Sequence, residues 1–191
     1  MKKYLETFFL GMIAALGSLV AITAISVFFG SVFPNVPKET YGVIMPFLLF
    51  AVIIEEGFKL LIIRKKISEG EGNRFFLGKA FFLGAGFALM ETIFIVSGKP
   101  LIGKDELIGI FGISTIHIST AIIIASAFAS QKKHVFSKTA YAMLAAIATH
   151  ATYNYLIFEE KTLQALALSM LLAAVILAMS LAEKKRIFKL A

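Results

Sequence analysis

A bundle of membrane-spanning helices is the fold class this sequence predicts, and three observations predict it. Of the 191 residues 59% are apolar, only 16% are charged, and the mean hydropathy is +0.86. A soluble domain runs at about 45–50% apolar and about 25% charged. The apolar residues fall into six long stretches, each near the ~20 residues of helix that cross the hydrocarbon. Lys and Arg gather in alternate connections between those stretches. A lone strand in lipid would leave its backbone groups unpaired, so each stretch reads as helix.

The stretches run roughly over 5–33, 40–63, 75–97, 106–130, 137–158 and 162–182. The first follows Met1-Lys2-Lys3, like the start of a signal peptide. Its apolar run is about twice the ~7–15 residues of a signal core, so it reads as a retained span. Pro34-Asn35-Val36-Pro37-Lys38 breaks the chain before the second. Between Arg64 and Arg74 lie Lys65, Lys66, Glu69, Gly70, Glu71 and Gly72, a charged turn-former. Lys99-Pro100 and Gly103-Lys104-Asp105 separate the third and fourth, Gln131-Lys132-Lys133-His134 follows the fourth, and Glu159-Glu160-Lys161 follows the fifth. His134 in its basic loop reads as a solvated side chain. No repeat and no low-complexity tract is present. The chain 1–191 reads as one integral-membrane domain. Its site-bearing part is about 40–160, and the first and last spans are scaffold.

Charge sets the orientation. Lys2, Lys3, Arg64, Lys65, Lys66, Arg74, Lys79, Lys132, Lys133, Lys138, Lys184, Lys185, Arg186 and Lys189 fall on one side. Lys38, Lys99, Lys104 and Lys161 fall on the other. The richer side is cytoplasmic by the positive-inside rule, which puts both termini there and the chain in the cell membrane as a multi-pass protein. Tyr4, Tyr41, Tyr141 and Tyr155 sit near span ends, as interfacial aromatics do. The net charge of +7 thus reads as topology and attraction to anionic lipid, and no nucleic-acid partner is expected.

The polar residues inside the spans carry the functional signal. A charge at the centre of a span costs about 2.5–3.5 kcal/mol on insertion scales, and such residues face the bundle interior. Here they are Glu55, Glu56, Lys59 and Glu91, joined by His117, His150 and Asn154. Glu55 and Lys59 are i,i+4, so they lie on one helix face and can pair, with Glu56 rotated about 100° away. Two adjacent carboxylates in a low dielectric resist joint ionisation. One is therefore expected to stay charged against Lys59, and the other to suit a general base. A buried Glu–Lys pair that merely fixes packing would leave Glu56 without a partner. Phe87 and Glu91 share a face of the third span, after Gly84 and Gly86, whose small size permits close helix approach. Ser114, Thr115, His117 and Ser119 lie on the fourth span, and His150 and Asn154 share a face of the fifth. A lone membrane histidine is often only an interhelical hydrogen-bond partner. Two on neighbouring spans, behind three glutamates, weigh against that reading.

At 1.5 Å rise per residue, Glu55 and Glu56 lie about 5 Å to the cytoplasmic side of their span's middle and His117 near its own. His150 lies about 3 Å, and Glu91 and Asn154 about 8–9 Å, towards the outside. One cavity from mid-bilayer outwards can hold them all.

Several chemistries are excluded. There are no cysteines, hence no disulfide, thiolate nucleophile or thiolate metal site. No His-Glu-x-x-His is present. The single aspartate, Asp105, lies in a loop, so a two-aspartate intramembrane protease is impossible. Gly112-Ile113-Ser114-Thr115 lacks the second glycine of a serine-protease motif, and no phosphate-binding loop occurs.

The set Glu55-Glu56-x-x-Lys59, Phe87-x-x-x-Glu91, His117 and His150-x-x-x-Asn154, in order on consecutive spans, resembles the PrsW family of intramembrane proteases. That family belongs to the group of type II CAAX prenyl proteases and bacteriocin-processing enzymes. The resemblance covers roughly residues 50–155. Lys59 and Glu91 look PrsW-like, whereas Asn154 looks CAAX-like. The resemblance implies a membrane-embedded peptidase acting on a membrane-anchored protein or peptide. PrsW enzymes trim anti-sigma factors on the outer side, whereas CAAX enzymes act on lipidated C-termini at the cytoplasmic side.

The expected chemistry is amide hydrolysis inside the bundle. Glu56 or Glu55 takes a proton from water, and Lys59 holds the neighbouring carboxylate charged. Glu91 and His117 position the water, and His150 and Asn154 stabilise the oxyanion. The rival is a metallopeptidase, in which Glu and His residues supply three ligands to Zn²⁺. The water-only route is preferred because carboxylates outnumber histidines. A small transporter, or an inactive scaffold of the same fold, are the readings from other classes. The absence of repeats and of a Gly/Pro-interrupted helix pair weighs against transport.

Overall fold

A computed structural model describes residues 1–32, 45–67, 76–97, 103–128 and 135–188, and every element in them is helical. The helices are α1 (Lys2–Val32), α2 (Met45–Ile62), α3 (Phe76–Ser97), α4 (Lys104–Phe128), α5 (Val135–Phe158) and α6 (Thr162–Phe188). Each covers one of the six apolar stretches. α2 runs on into one π-helical turn, Ile63–Ile67. The breakers expected at 34–38, 68–74, 99–100 and 131–134 lie outside the described residues.

Among the described residues, four helices are long and apolar enough to cross a membrane: α1, α3, α4 from Glu106 and α6 to Leu181. The sequence predicts six. The described parts of α2 and α5 are the more polar ones. The 18 residues of α2 include Glu55, Glu56 and Lys59, and α5 carries Lys138, Tyr141, His150, Tyr153, Asn154 and Tyr155. The helices that hold most of the candidate site are thereby the least apolar.

α4 is the central post, packing on α2, α3, α5 and α6. Half of its apolar window is buried, 50%, against 11% for α6. α2 is wedged between α1 and α5, and α1 packs most extensively on α3. The core between these helices is built from small and branched residues: Ala80, Leu83, Ile122, Ala125 and Ala146 are all fully or nearly fully buried. Small side chains let helix backbones approach closely, the packing that operates where hydrophobic burial between helices gives no advantage. The outward faces are apolar instead, with Val20, Val27 and Phe28 of α1 and Leu171 and Leu177 of α6 exposed. Such a surface is one for lipid contact.

Two details fix the ends of the bundle. Lys66 after α2 lies 3.9 Å from Glu6 of α1, so these two ends share one side. At the other side α5 turns into α6 through Glu160, which has φ 57°. The N–H of Lys161 bonds the carbonyl of Leu156 at 2.8 Å, and that of Glu160 bonds Ile157 at 3.0 Å. These are the two bonds of a Schellman cap, which satisfies the last carbonyls of α5 and reverses the chain within three residues.

Candidate functional site

The site begins with a lysine shut away from solvent. Lys59 of α2 is fully buried, and its ammonium has three partners. Glu56 Oε1 is 2.7 Å away, Thr120 Oγ1 of α4 is 2.9 Å away, and the Phe87 ring centroid of α3 is 4.7 Å away. A buried cation is tolerable only when paired and hydrogen-bonded, and here three helices supply the partners. The i,i+4 spacing allows Lys59 to pair with Glu55, and the structure pairs it with Glu56, three residues away. Both spacings place a carboxylate near Lys59 along the helix. The tertiary partners decide between them, because Thr120 draws the ammonium to the side where Glu56 lies.

Glu56 is therefore engaged twice. Its Oε1 also meets His150 Nδ1 of α5 at 2.7 Å. Glu55, one residue earlier, meets the other face of the same ring, with its Oε2 3.6 Å from His150 Nε2. The two glutamates thus grip His150 from both nitrogens, one at full hydrogen-bond contact and one beyond it.

His117 repeats the arrangement from α4. Its Nε2 contacts the carboxylate of Glu91 on α3. Its ring packs on Phe87 at 4.5 Å between centroids and meets His150 edge-on at 4.9 Å. Gly84 makes this approach possible. A Cβ there would lie 2.6 Å from the His117 carbonyl oxygen and from the Ile118 Cα, so any side chain would push α3 off α4 and move His117.

The hydrogen-bond pattern fixes what the centre presents. A neutral imidazole that gives its hydrogen to a carboxylate from one nitrogen offers a lone pair from the other. With His150 Nδ1 engaged by Glu56 and His117 Nε2 by Glu91, the nitrogens left over are His150 Nε2, which faces Glu55 Oε2, and His117 Nδ1. The ligand atoms that Glu55, His117 and His150 can offer lie within 4.8 Å of one another. Glu55 Oε2, Glu56 Oε2 and His117 Nδ1 are buried with no hydrogen-bond partner among the described residues. Electron-pair donors facing one another suit a proton, a water that donates, or a cation.

Two cavities reach this centre. One of about 280 Å³ lies among α1, α2 and α3 and includes Glu55, Phe87 and Glu91 in its wall. The other, about 800 Å³, lies at the α5–α6 turn end and includes Glu91, Tyr153 and Asn154.

Six of the seven expected site residues are thus brought together: Glu55, Glu56, Lys59, Glu91, His117 and His150. Asn154 is set apart in the wall of the larger cavity, and it enters no bond with the cluster among the described residues. Ser119 and Thr115 bond carbonyls of their own helix, and so serve α4 rather than the centre. Thr120 was not singled out by sequence. It lies one turn from His117 towards the depth of Lys59, and that offset is the signal that finds it. Tyr153, whose hydroxyl donates to the Gly109 carbonyl at 3.4 Å, carries no such signal.

Compared with protein families, with curated proteins and with solved structures, the chain matches none.

Proposed function

We propose that this chain is a membrane-embedded peptidase of the PrsW type that its motifs resemble, hydrolysing peptide bonds of membrane-anchored proteins. In this reading all six helices span the cell membrane and both termini are cytoplasmic. The observation that carries it is the convergence of Glu55, His117 and His150 on one point, with each histidine tied from behind to a second carboxylate.

The roles follow from the partners. Glu56 Oε1 is held by both Lys59 and His150, and Glu56 lines neither cavity, so it positions His150 rather than reacting. Glu55, in the wall of the smaller cavity, takes the proton from water, and the water oxygen attacks the peptide carbonyl. Glu55 then gives that proton to the departing amine. His117 and His150 flank the point of attack and, when protonated, donate to the developing oxyanion, an effect of about 10²–10³ in rate per donor. Asn154 and Tyr153 line the larger cavity beside Glu91.

A second form of the reading rests on the same convergence. Histidines that hold a metal keep their other nitrogen on a carboxylate or carbonyl, as His117 and His150 do here. Glu55, His117 and His150 would hold a divalent cation such as Zn²⁺, which when bound supplies Lewis acidity and an acidified water.

The test uses protein purified into liposomes with a panel of single-span reporter peptides. Wild type is compared with Glu55→Gln and His150→Ala, each with and without chelator. Cleavage by wild type that both variants reduce by about 10²–10⁴ is the expected result. Activity that survives chelation assigns the proton transfer to Glu55 alone, and loss restored by added zinc assigns a metal. Failure to cleave any peptide moves weight to an inactive scaffold or a transporter.

A further inference from the structure

α1 is attached to its neighbours along only part of its length. Its buried residues are Thr7, Gly11, Ala14, Ala15 and Ser18, an i, i+4, i+7, i+8, i+11 stripe that stops at mid-helix. Over that part, contact with α3 is as close as backbones allow. A Cβ on Gly11 would strike the backbone of Leu83 and Phe87, and one on Gly86 the backbone of Phe8. From Leu19 to Val32 no residue of α1 is buried. The helix is locked at one end of the bundle and only partly covered at the other.

The smaller cavity begins where the lock ends. Ala15 and Ser18 line it from α1, Leu19 and Phe94 stand at it as exposed apolar residues, and Glu55 and Glu91 are its acidic members. Its surroundings are thus apolar and at mid-helix depth, while two carboxylate residues of the centre lie inside it. The larger cavity is the more polar one: Glu106, Glu160 and Thr162 join apolar residues such as Val96 and Ile110 in its wall at the α5–α6 turn end. Glu91 and Ile95 line both.

A hydrolase in a bilayer must bring together two reactants that partition in opposite directions. A membrane-borne peptide dissolves in the hydrocarbon, whereas water does not. A cavity of about 280 Å³ is too small for a helix about 10–12 Å across. It holds a short extended segment, and its Ala15 and Ser18 floor favours small side chains. We propose that the two reactants arrive by separate routes that meet at Glu91. An unwound, small-residue segment of a membrane-spanning peptide enters sideways through the α1–α3 cleft, and water enters through the larger cavity. This assignment rests on the peptidase reading above.

The chain has no cysteine, so single thiols report without background. Leu19→Cys in the cleft and Ile110→Cys in the larger cavity each carry a nitroxide label, in liposomes. Relaxation of the label is measured with oxygen, which concentrates in lipid, and with a water-soluble nickel chelate. The Leu19→Cys label is expected to respond mainly to oxygen and the Ile110→Cys label mainly to nickel. The same preference at both sites, or the reverse pattern, overturns the two routes. In parallel, Leu19→Trp is expected to slow cleavage of a single-span peptide by about tenfold or more, the scale of misplacing a bound substrate. A short water-soluble peptide that enters from the larger cavity is expected to be cleaved within about twofold of the wild-type rate. Equal loss on both peptides, or none on either, overturns the proposal. If wild type cleaves neither peptide while the labels behave as expected, the peptidase reading falls. The assignment of reactants falls with it, and the two accessibilities stand.

Discussion

The two histidines of the centre are held by the same chemistry in two different surroundings. His150 belongs to a chain of contacts, through Glu56 and Lys59 to Thr120, in which every member is at most 2% exposed. His117 leans on a single carboxylate, Glu91, whose side chain is 33% exposed between two cavities. In the first arm each charge is answered by another charge inside the protein, so removing one leaves its partner stranded in a low dielectric. In the second the carboxylate retains access to a cavity, so its loss is softened by solvation. The difference separates what folds the site from what tunes it.

The largest expected effect comes from stranding a charge in the closed arm. Lys59→Met leaves Glu56 without its cation and is expected to lower stability by about 3–5 kcal/mol. It is read as a drop in the unfolding midpoint in detergent. Adding Glu56→Gln to it is expected to recover most of that stability, because no lone charge remains, without recovering activity. If the single variant unfolds like wild type, the two arms do not differ as argued. The open arm is expected to behave oppositely. Glu91→Gln keeps the fold and lowers the cleavage rate by about 10–100-fold, the usual result of removing the group behind a functional histidine. An equal loss of stability would erase the contrast. The smallest effect is expected at the far end of the closed arm. Thr120→Val removes one hydrogen bond from Lys59 and is expected to cost about 1–3 kcal/mol of stability, towards the lower end because Glu56 still pairs with the ammonium.

Much of this site was legible in the sequence because charge inside an apolar stretch is conspicuous. Glu55, Glu56, Lys59, Glu91, His117 and His150 stand out against residues such as Ile53, Leu60 and Ala148, and the fold brings all six together. What sequence could not settle is which pairs form. Glu55 and Glu56 are equally plausible partners for Lys59 on helix spacing alone, and the choice is made by Thr120 and His150 from α4 and α5. Asn154 shared a face with His150 by spacing. One turn is about 5.4 Å of helix, enough to place its amide in a cavity wall instead of the cluster. The helices themselves were legible, and among the described residues four of the six are long and apolar enough to cross a membrane. The polar residues that give α2 and α5 their place at the centre also break up the apolar runs of those two helices.

The Glu56–Lys59 contact lies within one helix, and that has a consequence for how the chain is built. An intrahelical pair forms as soon as the helix does, before any other helix arrives. If α2 enters the bilayer as a span, two of its three charges travel as a neutral couple, and the penalty of about 2.5–3.5 kcal/mol for each isolated charge is reduced. Glu55 has no such companion on its own helix and must wait for His150, which is synthesised nearly a hundred residues later. The order of assembly is then written into the site: the Glu56–Lys59 pair is complete early, and Glu55 meets its histidine only once α5 has been made.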